Sequence, residues 1–271
     1  MKRSTDDPIT VVKIGGTLLD DPEARRAFIA AVARASAAGR RIVLVHGGGA
    51  AVDRHLDRIG VRTRRVDGIR HTPAELMPEI AAVLVGEVGT MLVSDLRAAG
   101  IPAVGLRLGD DDAIEIARLE AASDPGAVGT VEGGTAPLLE ALLANGRVPA
   151  VASIGFLPDG SPVNVNADDA AAGIARTLPA DRLLLLTDVP GVLDAEGRTL
   201  PSLDAERIDR LVADGVIEGG MVPKVRGGLE VARSTGIPVV VGHWADPAVL
   251  LDDRTEARTT TILPPPVETS R

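Results

Sequence analysis

At 271 residues, the chain is long enough for one large domain or two intimate lobes around a substantial core. A net charge of −9 and an aromatic content of 1% argue against a nucleic-acid partner, which needs a basic surface and stacking side chains. Cysteine is absent, which removes disulfides and thiolate–metal sites, and the four histidines show no metal-ligand spacing.

The first residues lack the apolar stretch of a secretory signal, and nothing reads as a transmembrane span, so a cytoplasmic protein with no membrane partner is expected. Ile9–Ile14 is apolar and β-branched and ends at Gly15-Gly16, which predicts a buried strand. Asp21-Pro22-Glu23 opens an alanine-rich helix that closes near Gly39. A second strand, Ile42–Val45, runs into His46-Gly47-Gly48-Gly49 and a helix towards Gly60. Val61–Arg70 alternates like a hairpin, and Thr72-Pro73-Ala74-Glu75 resembles the cap and first turn of a long helix to about Ala99. Ala103–Leu106 is a strand, the acidic stretch 109–112 a loop feeding a hairpin, and Pro137–Asn145 a helix. Val148–Ser153 and Val163–Asn166 are strands, with the turn Pro158-Asp159-Gly160 before the second. A helix from about Ala167, a strand Leu183–Leu186, a helix Ala205–Asp214, a helix opened by Gly219-Gly220-Met221 and a strand Ile237–Val241 complete the set, before a frayed proline-rich tail. This alternation predicts an α/β fold with a mainly parallel sheet covered on both faces. A boundary near residue 177 would divide an N-terminal lobe, 1–177, from a C-terminal lobe, 178–271.

Two glycine turns at strand ends suit either tight strand–helix packing or the cradling of a polyanion by exposed amides. Their spacing is neither that of a Walker A loop nor that of a dinucleotide fingerprint. Lys13 favours the second reading, because open α/β sheets bind ligands at the C-terminal ends of their strands. In Asn164-Val165-Asn166-Ala167-Asp168 the two asparagines share a face, while Asp168 suits either a site or a helix cap. Arg70, Lys224 and the loop Thr187-Asp188-Val189-Pro190-Gly191 are each open to two readings. They are a surface arginine, a helix-surface lysine and a structural turn, or else a carboxylate fork, a phosphate ligand and a nucleotide loop.

Taken in succession, Lys-x-Gly-Gly, His-Gly-Gly-Gly, Gly-x-Arg, Asn-x-Asn-Ala-Asp, Thr-Asp-Val-Pro-Gly and Gly-Gly-Met-x-Pro-Lys resemble the amino-acid kinase family, from Val11 to about Ile262. The resemblance implies a three-layer αβα sandwich around a mainly parallel, eight-stranded sheet. Its N-terminal lobe would bind an acyl amino acid and its C-terminal lobe ATP, with Mg²⁺ carried mainly on the nucleotide phosphates. The implied reaction is phosphorylation of the side-chain carboxylate of N-acetyl-L-glutamate to N-acetyl-L-glutamyl 5-phosphate, in arginine biosynthesis. A related N-blocked acid, such as an acylated 2-aminoadipate, is the alternative substrate; a non-catalytic amino-acid or nucleotide sensor is the alternative class. By the same resemblance Lys13 and Lys224 contact the transferring phosphoryl group and Asp168 positions them. Gly48, Gly49, Arg70, Asn164 and Asn166 would hold the acid. Gly15, Gly16, Thr187, Asp188, Gly191, Leu193, Gly220 and Met221 would line the nucleotide side. Family members commonly carry Asn-Lys or Asn-Arg where this chain has Gly89-Thr90, a departure expected on a surface beside the acid. His71 replaces the usual valine, and the 109–112 loop is more acidic than is common. The first strand also starts early, whereas arginine-inhibited hexamers carry a longer N-terminal helix. A homodimer without that feedback is therefore expected.

Overall fold

The computed structural model describes residues 8–66, 69–121, 124–219, 221–244, 246, 248–251 and 259–265. Asp67, Gly68, Gly220 and the end of the tail lie outside them.

Eight strands form one sheet in the order 202–203, 259–262, 239–243, 182–187, 9–14, 41–46, 148–152, 103–107. The six from Val239–His243 to Ala103–Arg107 run parallel. Thr259–Ile262 returns antiparallel beside Val239–His243, and Ser202–Leu203 pairs parallel with it. Val11 and Val12 are both fully buried although neighbours on a strand point to opposite faces, so the centre of the sheet is covered on both sides. Ala167–Thr177 packs on the central strands and on Met221–Thr235; Pro22–Ala37 packs on Ala248–Leu251 and on the C-terminal part of the 74–98 helix. Asp21 caps Pro22–Ala37 through the amides of Glu23 and Ala24, with proline in the first turn, as its sequence predicts.

A smaller sheet in the order 114–118, 128–134, 162–165, 154–156 lies in the N-terminal part of the chain. Its hairpin, Ile114–Arg118 with Val128–Gly134, follows the acidic loop as expected. Pro162–Val165, which carries Asn164, pairs parallel with Val128–Gly134 and antiparallel with Ile154–Phe156.

Four expectations change. The hydroxyl of Thr72 does not cap a helix. It donates to the Arg70 carbonyl, and the helix begins as a 3₁₀ turn, Ala74–Leu76. The helix then passes through a π segment, Ala82–Gly89, before resuming as Thr90–Ala98. Pro238 delays the strand after Gly236 to Val239–His243, and Thr259–Ile262 before the tail is a strand of the main sheet. Finally, the helix Ala74–Ala98 spans 25 residues with a mean hydropathy of 1.7 in its most apolar window, enough by length and composition to cross a membrane. Here it lies on the sheet, burying Met77, Ile80, Val83, Leu84, Val88, Leu92 and Leu96, so its apolar character is that of a core helix.

Candidate active site

Lys13 is the penultimate residue of the central strand, in register between Leu185 and Val45. Parallel pairing brings the ends of the neighbouring strands, His46 and Thr187, to the same side of the sheet. The Lys13 ammonium lies 3.1 Å from the Asp168 carboxylate. Asp168 is available for this contact because it does not cap its helix. The Asn166 side chain takes that role, accepting from the Asp168 amide at 2.9 Å, and Asp168 sits in the first turn with its carboxylate turned to Lys13.

In front of this pair is a cavity of about 260 Å³, a volume suited to a small metabolite. Lys13, Gly15, Gly16, Gly48, Gly49, Arg70, Asn164, Asn166 and Asp168 all line it. The helix start at Gly48–Gly49 contributes exposed amides and the positive end of a helix dipole. Gly48 has to be glycine, since a Cβ there would stand 2.9 Å from Leu84 Cδ2 and 3.0 Å from Val88 Cγ2. Arg70 is buried, not a surface arginine. It donates to the Thr63 hydroxyl at 2.6 Å and the Gly49 carbonyl at 3.1 Å, and it pairs with Asp53. Asn164 donates to the Thr72 hydroxyl at 3.4 Å. Ile69, Ile80 and Leu84 supply an apolar wall.

A second group stands at the end of strand Arg182–Thr187. Lys224 donates to the Thr187 hydroxyl at 2.6 Å, and that hydroxyl donates to Asp188 at 2.9 Å. The bond from Thr187 is the main reason that Asp188 titrates below the ordinary aspartate range, with Lys224 and His243 adding to it. Burial lowers the Lys224 pKa; Asp188 and Asp168 oppose this and Lys13 reinforces it. Lys13, Asp168, Asp188 and Lys224 therefore share one local field, which joins the cavity to the Thr187 strand end. Met221 is half-buried at the start of the Lys224 helix. Gly191 packs on the last strand, where a Cβ would stand 2.6 Å from Thr260 Oγ1, and Leu193 is exposed in a bridge with Thr199. Neither Gly191 nor Leu193 lines the cavity, and Gly220 is outside the described residues.

The sequence profile of the amino acid kinase family matches residues 8–243. Acetylglutamate kinase of Pectobacterium atrosepticum is 41% identical over 235 residues, covering 86% of this chain and 90% of that protein. Acetylglutamate kinase of Vibrio cholerae is 41% identical over 241 residues, covering 89% and 91%. Among solved structures, smu.665 from Streptococcus mutans UA159 superposes with a TM-score of 0.75 at 30% identity, over 86% of this chain and 94% of that one. The chain belongs to the amino acid kinase family.

In this amino acid kinase the structure adds residues that the sequence did not single out. Arg65 lines the cavity, and its guanidinium lies over the helix start, with Nη2 3.1 Å from where a Gly49 Cβ would be. Asp53 holds Arg65 at 2.9 Å and also pairs with Arg70. Arg65 is one of several arginines in a polar hairpin, and only the fold back onto Gly49 distinguishes it. Ser153 and the apolar wall were likewise read as strand and helix core. Gly89 and Thr90 do not line the cavity in front of Lys13; they line a separate cavity of about 390 Å³ against strand Ala103–Arg107.

Proposed function

We propose that this amino acid kinase transfers the γ-phosphoryl group of ATP to the side-chain carboxylate of N-acetyl-L-glutamate, yielding N-acetyl-L-glutamyl 5-phosphate for arginine biosynthesis. The observation that carries the reading is the Lys13–Asp168 pair in an arginine-lined cavity, with Lys224 bonded to Thr187 at the end of the adjacent strand. Relatives named for this activity, at 41% identity over most of their length, support it.

The acceptor carboxylate is ionised at neutral pH, so no general base is needed. The barrier lies in bringing two anions together and stabilising charge on the transferred oxygens. In this reading Lys13 and Lys224 take that charge from either side, the Gly15-Gly16 and Gly48-Gly49 amides complete the cradle, and Asp168 positions the two lysines. Arg70, Asn164 and Asn166 hold the acid, and the apolar wall faces its acyl cap. Thr187, Asp188, Gly191, Leu193, Gly220 and Met221 are assigned to the nucleotide side, which makes 1–177 the acid lobe and 178–271 the nucleotide lobe. Magnesium, which suits phosphate oxygens and water, would be carried on the nucleotide and neutralise charge there, since the nearby carboxylates Asp168 and Asp188 are engaged by Lys13 and Thr187. Since Gly89-Thr90 faces the other cavity, it does not enlarge the acid site, which favours acetylglutamate over a longer acid. In this reading the enzyme works in the cytoplasm, beside both substrates.

The test is hydroxylamine trapping. An acyl phosphate yields a hydroxamate, expected with ATP and N-acetyl-L-glutamate but far less with free glutamate or acetylated 2-aminoadipate. Preference for the aminoadipate, or no hydroxamate with any acid, would overturn the reading.

The same reading includes a homodimer. Among the described residues, strand Ala103–Arg107 forms the edge of the main sheet, paired only with Val148–Ala152. Beside it Val85, Val93 and Leu106 line the 390 Å³ cavity and are only half-buried. An open strand next to apolar surface fits a second copy of the chain.

A further inference from the structure

His46 ends strand Arg41–His46 between Ile14 and Ala152 and is completely buried. Its Nδ1 lies 2.9 Å from the Gly47 carbonyl oxygen, while Nε2 is buried with no hydrogen-bond partner among the described residues. A carbonyl only accepts, so Nδ1 carries the proton and Nε2 keeps the lone pair. Burial moves this imidazole's pKa down, the bond to Gly47 opposing it, and the ring is neutral at pH 7. The long helix makes room for the unpartnered nitrogen with Gly89, where a Cβ would stand 3.4 Å from Nε2 and 3.2 Å from the Leu84 carbonyl. A buried acceptor without a donor costs stability, and a leucine would fill the space without it. The histidine is therefore poorly explained as packing.

We propose that His46 is a positioning residue: its Nδ1–H holds the Gly47 carbonyl and so turns the Gly48 N–H into the phosphoryl cradle. The described chain has no cis peptide bonds, and in a planar trans peptide the carbonyl of residue 47 and the N–H of residue 48 point in opposite directions. With the carbonyl drawn to the buried ring, the amide faces the other way, towards the cavity that Gly47, Gly48 and Gly49 line. A Gly-Gly peptide has little else to fix its orientation, and a flip would aim a carbonyl dipole at the transferring anion. The role of the cradle rests on the kinase reading above; the state of the ring does not.

The experiment compares His46→Leu, which fills the space but cannot donate, with His46→Asn, whose side-chain amide can donate to the same carbonyl. Acid-dependent kcat and KM, the thermal unfolding midpoint and the imidazole ¹⁵N shifts are read. His46→Leu should lower kcat about 10–100-fold, below the roughly 10²–10³-fold of removing an oriented donor outright because the Gly48 amide remains, with KM for the acid within about 3-fold. Its midpoint should be unchanged or higher, and His46→Asn should recover kcat to within about 3-fold of the starting protein. The wild-type ¹⁵N shifts should report Nδ1–H. Wild-type kcat in His46→Leu, His46→Asn as slow as His46→Leu, or a proton on Nε2 would each overturn the proposal. If His46→Leu does not fold, the asparagine variant and the ring tautomer decide it. An unaltered protein without acid-dependent ADP release would instead sink the kinase reading, an outcome distinct from any of these.

Discussion

Lys13 and Asp168 meet at 3.1 Å where the central strand faces the first turn of the Ala167–Thr177 helix. Asp168 also acts on Lys224, so one carboxylate serves two ammonium groups that repel each other. Asp168→Asn keeps the shape and removes the charge. It should lower kcat by about 10²–10³-fold, while the melting temperature moves little, because a half-exposed ion pair contributes little to stability. Steady-state kinetics beside a thermal melt checks both. A large drop in melting temperature with kcat preserved would assign the pair a purely structural part.

Lys224 should set the alkaline limb of activity. Burial lowers its pKa, so it loses its proton below the value of about 10.4 for an ordinary lysine, and turnover should fall with rising pH before that value. For stability the sign is reversed. Between the folded and unfolded pKa values the unfolded chain binds this proton more, so folding becomes more favourable as pH rises through that window. A kcat–pH profile of Lys224→Arg, slower but always charged, should lack the limb. An identical limb in that variant would assign it to another group.

Arg65 should govern the acid and not the nucleotide. It shares Asp53 with the buried Arg70 and lies over the Gly49 helix start. Arg65→Leu is expected to raise KM for the acid about 10-fold, the scale of one charge-assisted hydrogen bond, and to leave KM for ATP unchanged. Equal increases in both constants would move Arg65 out of the acid site.

The central strands were legible because a parallel sheet buried on both faces leaves continuous apolar runs, as in Ile9–Ile14 and Arg182–Thr187. The cap at Asp21 was legible because proline and glutamate follow it. The cap at Asn166 was not, because asparagine and aspartate two residues apart have equal claims and only the position of Lys13 separates them. The π segment Ala82–Gly89 left no trace in the hydrophobic pattern, which fits a regular helix almost as well. Arg65 and Gly89 were missed or misplaced for one reason. Which side of a hairpin or helix meets the cavity is set by tertiary packing, not by the local residues.

The sheet edge should hold two copies together. Val93→Glu places a charge on the half-buried wall beside strand Ala103–Arg107 and should convert a dimer to a monomer in sedimentation equilibrium. A variant that remains as dimeric as the starting protein would put the interface elsewhere.

The central claim is that Lys13 and Lys224 act on the same phosphoryl group. Its most direct measurement is ADP release dependent on N-acetyl-L-glutamate in the starting protein and in folded Lys13→Ala and Lys224→Ala. The account expects robust release from the first and a loss of about 10²-fold or more in each variant, the scale of removing one charged group from a transition state. Release at the starting rate in either variant would contradict it.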